Sequence, residues 1–279
     1  MSDSKSELYR NQIAQKIKEY EKNGWWDKDV ESDEPPKELT PDKIDYLNKK
    51  LKSKVATCFA NLAGTFLFEK MIKKGDLVIK GIFGIENFTS VKGGAIITCN
   101  HFSISDHYCV WRAIKPYMGK KRLWKVIKEG NYTCPPKPFG FVMRNCNTLP
   151  LSRNIKTMQK FISAVKTLTE HGEKILIYPE QSMWRGYKKP RHLQDGAFNL
   201  AVISNVPVIP VFITTKDSGK IDAQGFPIQE NYIHFLPPIY PEKVLSRKDN
   251  ISQMKEKNYS AWKGVYERFY NKELVYNEN

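Results

Sequence analysis

From residue 77 onward, short apolar runs alternate with stretches of helical periodicity. LVIKGI (77–82), AIITC (95–99), LWKVI (123–127), KILIY (174–178), VIPVFI (208–213) and YIHFL (232–236) are short and rich in β-branched and aromatic residues, which predicts strands. Segments 105–115, 155–171, 195–204 and 250–272 have the spacing and length of helices. Strands separated by helices predict an α/β fold: a single domain over 76–245 with a mixed, largely parallel sheet flanked by helices, then a C-terminal helix and tail over 246–279. The order of the strands does not follow from the pattern.

Residues 1–75 predict an N-terminal helical appendage. Ile13, Ile17 and Tyr20 share one helix face, and an acidic, proline-bearing break follows at 31–36. Thr40-Pro41-Asp42 has the chemistry of a helix start, because Thr can cap, Pro suits the first helical position and Asp complements the positive end of the dipole. Ile44, Leu47, Leu51, Val55, Phe59, Leu62 and Phe66 then recur at steps of three and four, polar in between before Val55 and much more apolar as far as Phe68. As a helix, 55–68 covers about 21 Å, less than the roughly 30 Å of hydrocarbon in a bilayer. Lys49, Lys50, Lys52 and Lys54 precede it, and Lys70, Lys73 and Lys74 follow. That pattern fits a helix lying in the headgroup region of a membrane, and equally an ordinary helix packed on the core.

The 279 residues are 41% hydrophobic, enough for a substantial core, and carry a net charge of +15, which calls for a polyanionic partner. Residues 1–54 hold twelve basic and twelve acidic side chains, whereas 107–169 holds thirteen basic side chains against the single acid Glu129. Most of the excess therefore sits in one central segment. The five cysteines form no Cys-x-x-Cys pair, so they read as reduced thiols of an intracellular protein, and no metal site is expected. The N-terminus lacks the pattern of a secretory signal, and no run of 18 uninterrupted apolar residues follows.

Candidate chemistry begins at AIITCNHFSISDHYCVWRAI, where Asn100 and His101 close an apolar strand and Asp106 opens a helix, with Ser103 or Ser105 available as its cap. On one helix, residues five apart would point about 140° from each other; a loop between them lets the carboxylate turn back to the imidazole. An Asp at one ring nitrogen fixes the tautomer that leaves the other free to take a proton.

From Asn100 to Pro210 the chain resembles the glycerolipid acyltransferases in four blocks. Asn100, His101 and Asp106 match the family's Asn-His-x4-Asp. Lys128-Glu129, Pro138, Gly140 and the run FVMRNCNTLPLSR ending at Arg153 follow the second block, with Asn147 where Gly is usual. The third, commonly Phe-Pro-Glu-Gly-Thr-Arg, reads Tyr178-Pro179-Glu180-Gln181-Ser182-Met183, and the fourth appears as Val206-Pro207-Val208-Ile209-Pro210-Val211. Gln181 stands for the usual Gly and Met183 for the usual Arg. Arg185, Lys188, Lys189 and Arg191 are the cations able to substitute for that Arg.

The resemblance implies transfer of a fatty acyl chain from acyl-CoA or acyl-acyl carrier protein to a hydroxyl of lysophosphatidic acid or a related lysophospholipid. His101 would be the general base and Asp106 its orienting group, with no metal or prosthetic group. It assigns the acceptor and its phosphate to Lys128, Arg144, Arg153, Glu180, Gln181, Ser182 and Arg185. Glu180 and Ser182 would meet glycerol hydroxyls, and Arg153 and Lys128 would meet the phosphate, with Arg144 next. The expected location is the cytoplasmic face of an anionic membrane, peripheral or interfacial, rather than outside the cell. Two other readings fit the charge or the fold: a nucleic-acid-binding protein, built on basic residues interleaved with Trp111, Tyr117, Trp124, Tyr132 and Phe139, and an inactive membrane-bound scaffold. No recognition-helix, zinc or single-strand-binding signature accompanies the first, so no nucleic acid is expected. Intact His101, Asp106 and Glu180 argue against the second.

Overall fold

Seven strands form one sheet in a computed structural model that describes residues 2–31, 35–136, 138–222 and 225–277. They are β1 (Val78–Phe83), β2 (Ala95–Cys99), β3 (Leu123–Ile127), β4 (Thr148–Pro150), β5 (Lys174–Ile177), β6 (Val208–Ile221) and β7 (Pro227–Phe235), in the order β1-β7-β6-β2-β5-β3-β4. All pairings are parallel except β6 with β7. The sheet is therefore mixed and largely parallel. β2 through β6 point one way, so the carboxyl ends of β2, β5, β3 and β4 line one edge, where loops can gather side chains.

The central strands are apolar on both faces because both are covered. Ala95, Ile97 and Cys99 of β2 point to a layer with α3 (Ile85–Thr89), α4 (Asp106–Ile114) and the last turns of α2 (Leu51–Lys74). Ile96 points to the opposite layer, built by α7 (Ile155–Glu170), α8 (Gly196–Ser204) and α9 (Arg247–Tyr270). The six predicted strands are all present, and the four predicted helices match α4, α7, α8 and α9. Four short elements escaped the pattern because each lacks a full period: α3, β4, α5 (Glu129–Thr133) and α6 (Phe139–Asn145).

The N-terminal region departs most from expectation. α1 (Ser2–Lys22) forms with Ile13 buried and Ile17 and Tyr20 against the same cluster as Val30 and Trp184, so it packs onto the domain. Of the break at 31–36, residues 32–34 lie outside the described residues. No long helix starts at Thr40. Pro41–Lys43 make a single turn, Ile44 returns to an extended conformation, and α2 begins only at Leu51. The Asp45 carboxylate accepts from the amides of Lys49 and Lys50, and the Tyr46 hydroxyl donates to the Pro150 carbonyl. Local side-chain bonds and burial of Tyr46 thus outweigh helical propensity between 44 and 50.

α2 lies along the domain. Its small residues Thr57 and Ala60 are buried, the Cys146 thiol donates to the Ala60 carbonyl, and Asn147 bonds Asn61. Near its end Phe68 stacks on Tyr108, and Glu69 accepts from the Tyr108 hydroxyl and pairs with Arg112. The opposite face is open: Phe59, Leu62 and Phe66 are 64%, 63% and 72% exposed. By length and composition α2 is the described helix able to cross a membrane.

Candidate active site

The side chain of Asn100 does what another residue of strand backbone would do. It donates to the Ile213 carbonyl at 3.0 Å and accepts from the Ile213 amide at 2.8 Å. This ties the end of β2 to β6 while freeing the main chain at His101 to leave the sheet. The loop 101–105 then turns back, and His101 Nδ1 comes to lie 2.9 Å from Asp106 Oδ2.

The same oxygen accepts from the amides of Phe102 and Ser103, each at 2.9 Å. Asp106, rather than Ser103 or Ser105, therefore organises the helix start; the two serine hydroxyls bond each other instead. Asp106 is 1% exposed and the imidazole 21%. Burial raises the Asp106 pKa above the ordinary carboxylate value, and the His101 ring with the two amides pulls against it. Three donors on one oxygen favour the ionised acid, which keeps the proton on Nδ1 and leaves Nε2 as the basic atom. The His101 ring lies flat on Tyr178, with centroids 3.9 Å apart.

The third block wraps around the dyad through Glu180. Its Oε2 accepts from the His101 amide at 3.0 Å and from Arg191 Nη2 at 2.9 Å, and its Oε1 accepts from the Arg191 amide at 2.9 Å. Both oxygens are committed inside the protein, so the expected contact with an acceptor hydroxyl is replaced by a structural one. Ser182 is likewise buried, accepting from Arg191 Nη1 at 2.7 Å and bonding the Trp26 carbonyl.

Of the four cations able to replace the third-block Arg, Arg191 is the one that enters the site. It also donates to the carbonyls of Trp26 and Ser182 and lies over the Trp184 ring. Arg185 instead pairs with Glu31 at 3.6 Å and covers Phe226. Gln181, exposed at the tip of the turn, has φ 65°, and Asn147 has φ 52°. Both positions where the resemblance expects Gly are thus left-handed here, which explains Gly as the usual residue and Asn as a tolerable one.

Lys128 and Arg153 reach the same sheet edge from β3 and β4. Lys128 pairs with both oxygens of Asp29. Arg153 presents an exposed side chain, while its amide bonds Glu129, whose buried carboxylate also takes the Leu39 amide and the Ser152 hydroxyl. Arg144 is set apart from the dyad. It donates to the Tyr132 carbonyl and lines a separate cavity of about 280 Å³ with Asp45, Lys50, Ser53 and Asn147. Among the described residues, no cluster of three His, Cys, Asp or Glu side chains has the arrangement of a metal site.

Sequence reasoning missed the roles of Tyr178 and of the segment around Trp26, and left Arg191 as one candidate of four. Nothing in the spacing distinguished Arg191 from Arg185, Lys188 and Lys189.

Residues 82–214 match the family model described as Acyltransferase, a span that takes in His101, Asp106, Glu180 and Arg191. Over this span the chain is similar to the acyltransferase family, the class that the four sequence blocks led us to expect. Among solved structures the chain is similar to the 1-acyl-sn-glycerophosphate (LPA) acyltransferase PlsC from Thermotoga maritima, at 20% identity, covering 78% of this chain and 79% of that one with a TM-score of 0.49. No curated protein matches it.

Proposed function

We propose that this protein transfers a fatty acyl group from a thioester donor, acyl-CoA or acyl-acyl carrier protein, to a hydroxyl of lysophosphatidic acid or a related lysophospholipid. The observation that carries the reading is the 2.9 Å contact between the His101 imidazole and a buried Asp106, inside the segment that matches the acyltransferase model. An alcohol is a weak nucleophile at neutral pH, so its proton must leave as it attacks. His101 Nε2 accepts that proton while the hydroxyl oxygen bonds to the thioester carbon. The tetrahedral intermediate then expels the thiolate, which takes the proton back from the imidazolium. The products are an ester and a free thiol. The acceptor phosphate is met by Arg153, exposed in the loop just beyond β4, where a guanidinium fork suits a phosphate.

The open face of α2 supports a membrane location. Because the helix is bonded to the domain near its middle at Ala60 and at its end through Glu69, it lies against the protein with Phe59, Leu62 and Phe66 turned outward. Such a helix seats in the headgroup region of the cytoplasmic leaflet with its apolar face in lipid and its flanking lysines on anionic headgroups. The enzyme then meets lipid acceptors without drawing them through water. Mass spectrometry of the products from a panel of lysolipids, each offered with acyl-CoA and acyl-acyl carrier protein, tests the reaction. Acylated phosphate-bearing lysolipid is expected. Absence of any acylated product from every pair would contradict it.

A further inference from the structure

Beneath the dyad, the ring of Tyr178 lies 3.9 Å from the imidazole of His101, with the two planes 11° from parallel. His101 is otherwise held at its edges: Nδ1 by Asp106, the amide by Glu180, and the carbonyl by the Trp184 amide. One hydrogen bond on a ring edge does not by itself stop the imidazole turning about its side-chain axis. A flat aromatic surface in contact with its face does, since turning would drive ring atoms into ring atoms. Tyr178 can serve as that surface because it follows directly on β5 and is itself followed by Pro179, whose fixed φ stiffens the turn.

The hydroxyl adds a second observation. It is buried without a hydrogen-bond partner among the described residues, and so is Asp106 Oδ1, the oxygen that takes none of the three donors around the dyad. One atom can donate and the other can only accept. Burial, reinforced by the charge of Asp106, pushes the Tyr178 hydroxyl well above its usual pKa, so it stays a phenol and a donor. The resemblance described above expects Phe at this position, so the hydroxyl is a departure of this chain.

We propose that Tyr178 is a positioning residue of the dyad. Its ring holds the imidazole in the plane where Nδ1 meets Asp106, and its hydroxyl supplies the donor for Asp106 Oδ1 through one bridging water. The inference rests on His101 being the base of the proposed reaction. It is tested by a readout that does not need turnover.

The experiment compares the full chain with Tyr178→Phe and Tyr178→Leu by ¹⁵N spectroscopy of the histidine side chains, His101 being assigned by its loss in His101→Gln, and by steady-state kinetics. Wild type and Tyr178→Phe should show one His101 tautomer with the proton on Nδ1. Tyr178→Leu should show a mixture, and lose about 100-fold in kcat with KM little changed, as expected for a base misplaced by about 1 Å. Tyr178→Phe should lose roughly threefold to tenfold in kcat, the worth of one hydrogen bond. A single tautomer with undiminished kcat in Tyr178→Leu would overturn the role of the ring. Tyr178→Phe equal to wild type in kcat would overturn the role of the hydroxyl. A wild-type chain with no acyl transfer, but with the tautomer mixture in Tyr178→Leu, would refute the reaction and support the positioning.

Discussion

Arg191 reaches back across eleven residues to place its guanidinium 2.9 Å from Glu180, and the two side chains are 1% and 2% exposed. The pair closes a ring of bonds through the His101 amide, Ser182 and the Trp26 carbonyl. The backbone of His101 is thereby fixed from behind by a buried charge pair.

Removing the cation leaves a buried carboxylate uncompensated. Arg191→Met is therefore expected to destabilise the fold by about 3 to 5 kcal/mol. Glu180→Gln combined with Arg191→Met should recover part of that loss, because no net charge is then stranded. Chemical denaturation of the two variants beside wild type measures both effects; a loss under about 1 kcal/mol for Arg191→Met would mean that the pair is peripheral.

Gln181 holds a backbone conformation that side chains with a Cβ adopt at a cost of roughly 1 to 2 kcal/mol, and its side chain is exposed. Gln181→Gly should raise stability, by something short of that cost because glycine also loosens the unfolded chain. An increase in melting temperature without loss of turnover is the expected result, and a decrease would show that the Gln side chain makes a contact worth more than the strain.

Changing Phe59, Leu62 and Phe66 together to Ser should leave the protein folded, since all three point away from the domain. Binding to vesicles containing anionic lipid should weaken strongly in the triple variant. In the wild type, binding should fall as salt rises and the lysines are screened. Co-sedimentation with vesicles at two salt concentrations, beside circular dichroism, separates these outcomes. Undiminished binding by the folded variant would move the membrane contact elsewhere.

Arg153→Ala should reduce use of a phosphate-bearing acceptor by about 10-fold or more while sparing hydrolysis of the thioester donor by water, because a charge-assisted bond of roughly 1.5 to 3 kcal/mol is lost only with the former. Parallel assays of acyl transfer and donor hydrolysis make the comparison. Equal losses in both would give Arg153 a structural role at the end of β4.

The strands and the larger helices were legible because each runs long enough to express its period, and the dyad was legible because its residues sit in one short loop. Helix α2 was misjudged at its start: Thr40-Pro41-Asp42 carries every local signal, yet the Tyr46 hydroxyl and the Asp45 carboxylate find better partners in an irregular segment. Glu180 looked like a substrate ligand because the resemblance to glycerolipid acyltransferases assigns it to the acceptor's hydroxyls. What encloses it is Arg191, eleven residues later and itself held by the carbonyl of Trp26, more than 150 residues earlier, and no pattern along the chain reports such a meeting. The same applies to Arg144, which shares the central basic segment with Lys128 but opens onto a different cavity.

Whether His101, oriented by Asp106, is the base for acyl transfer is tested by the turnover of His101→Ala with a lysophospholipid acceptor and a thioester donor, taken with its melting temperature. The expected result is a fall of about 10² to 10⁴-fold in kcat, the usual contribution of a positioned base, with the fold intact. Near-normal acyl transfer by a folded His101→Ala protein would contradict the account.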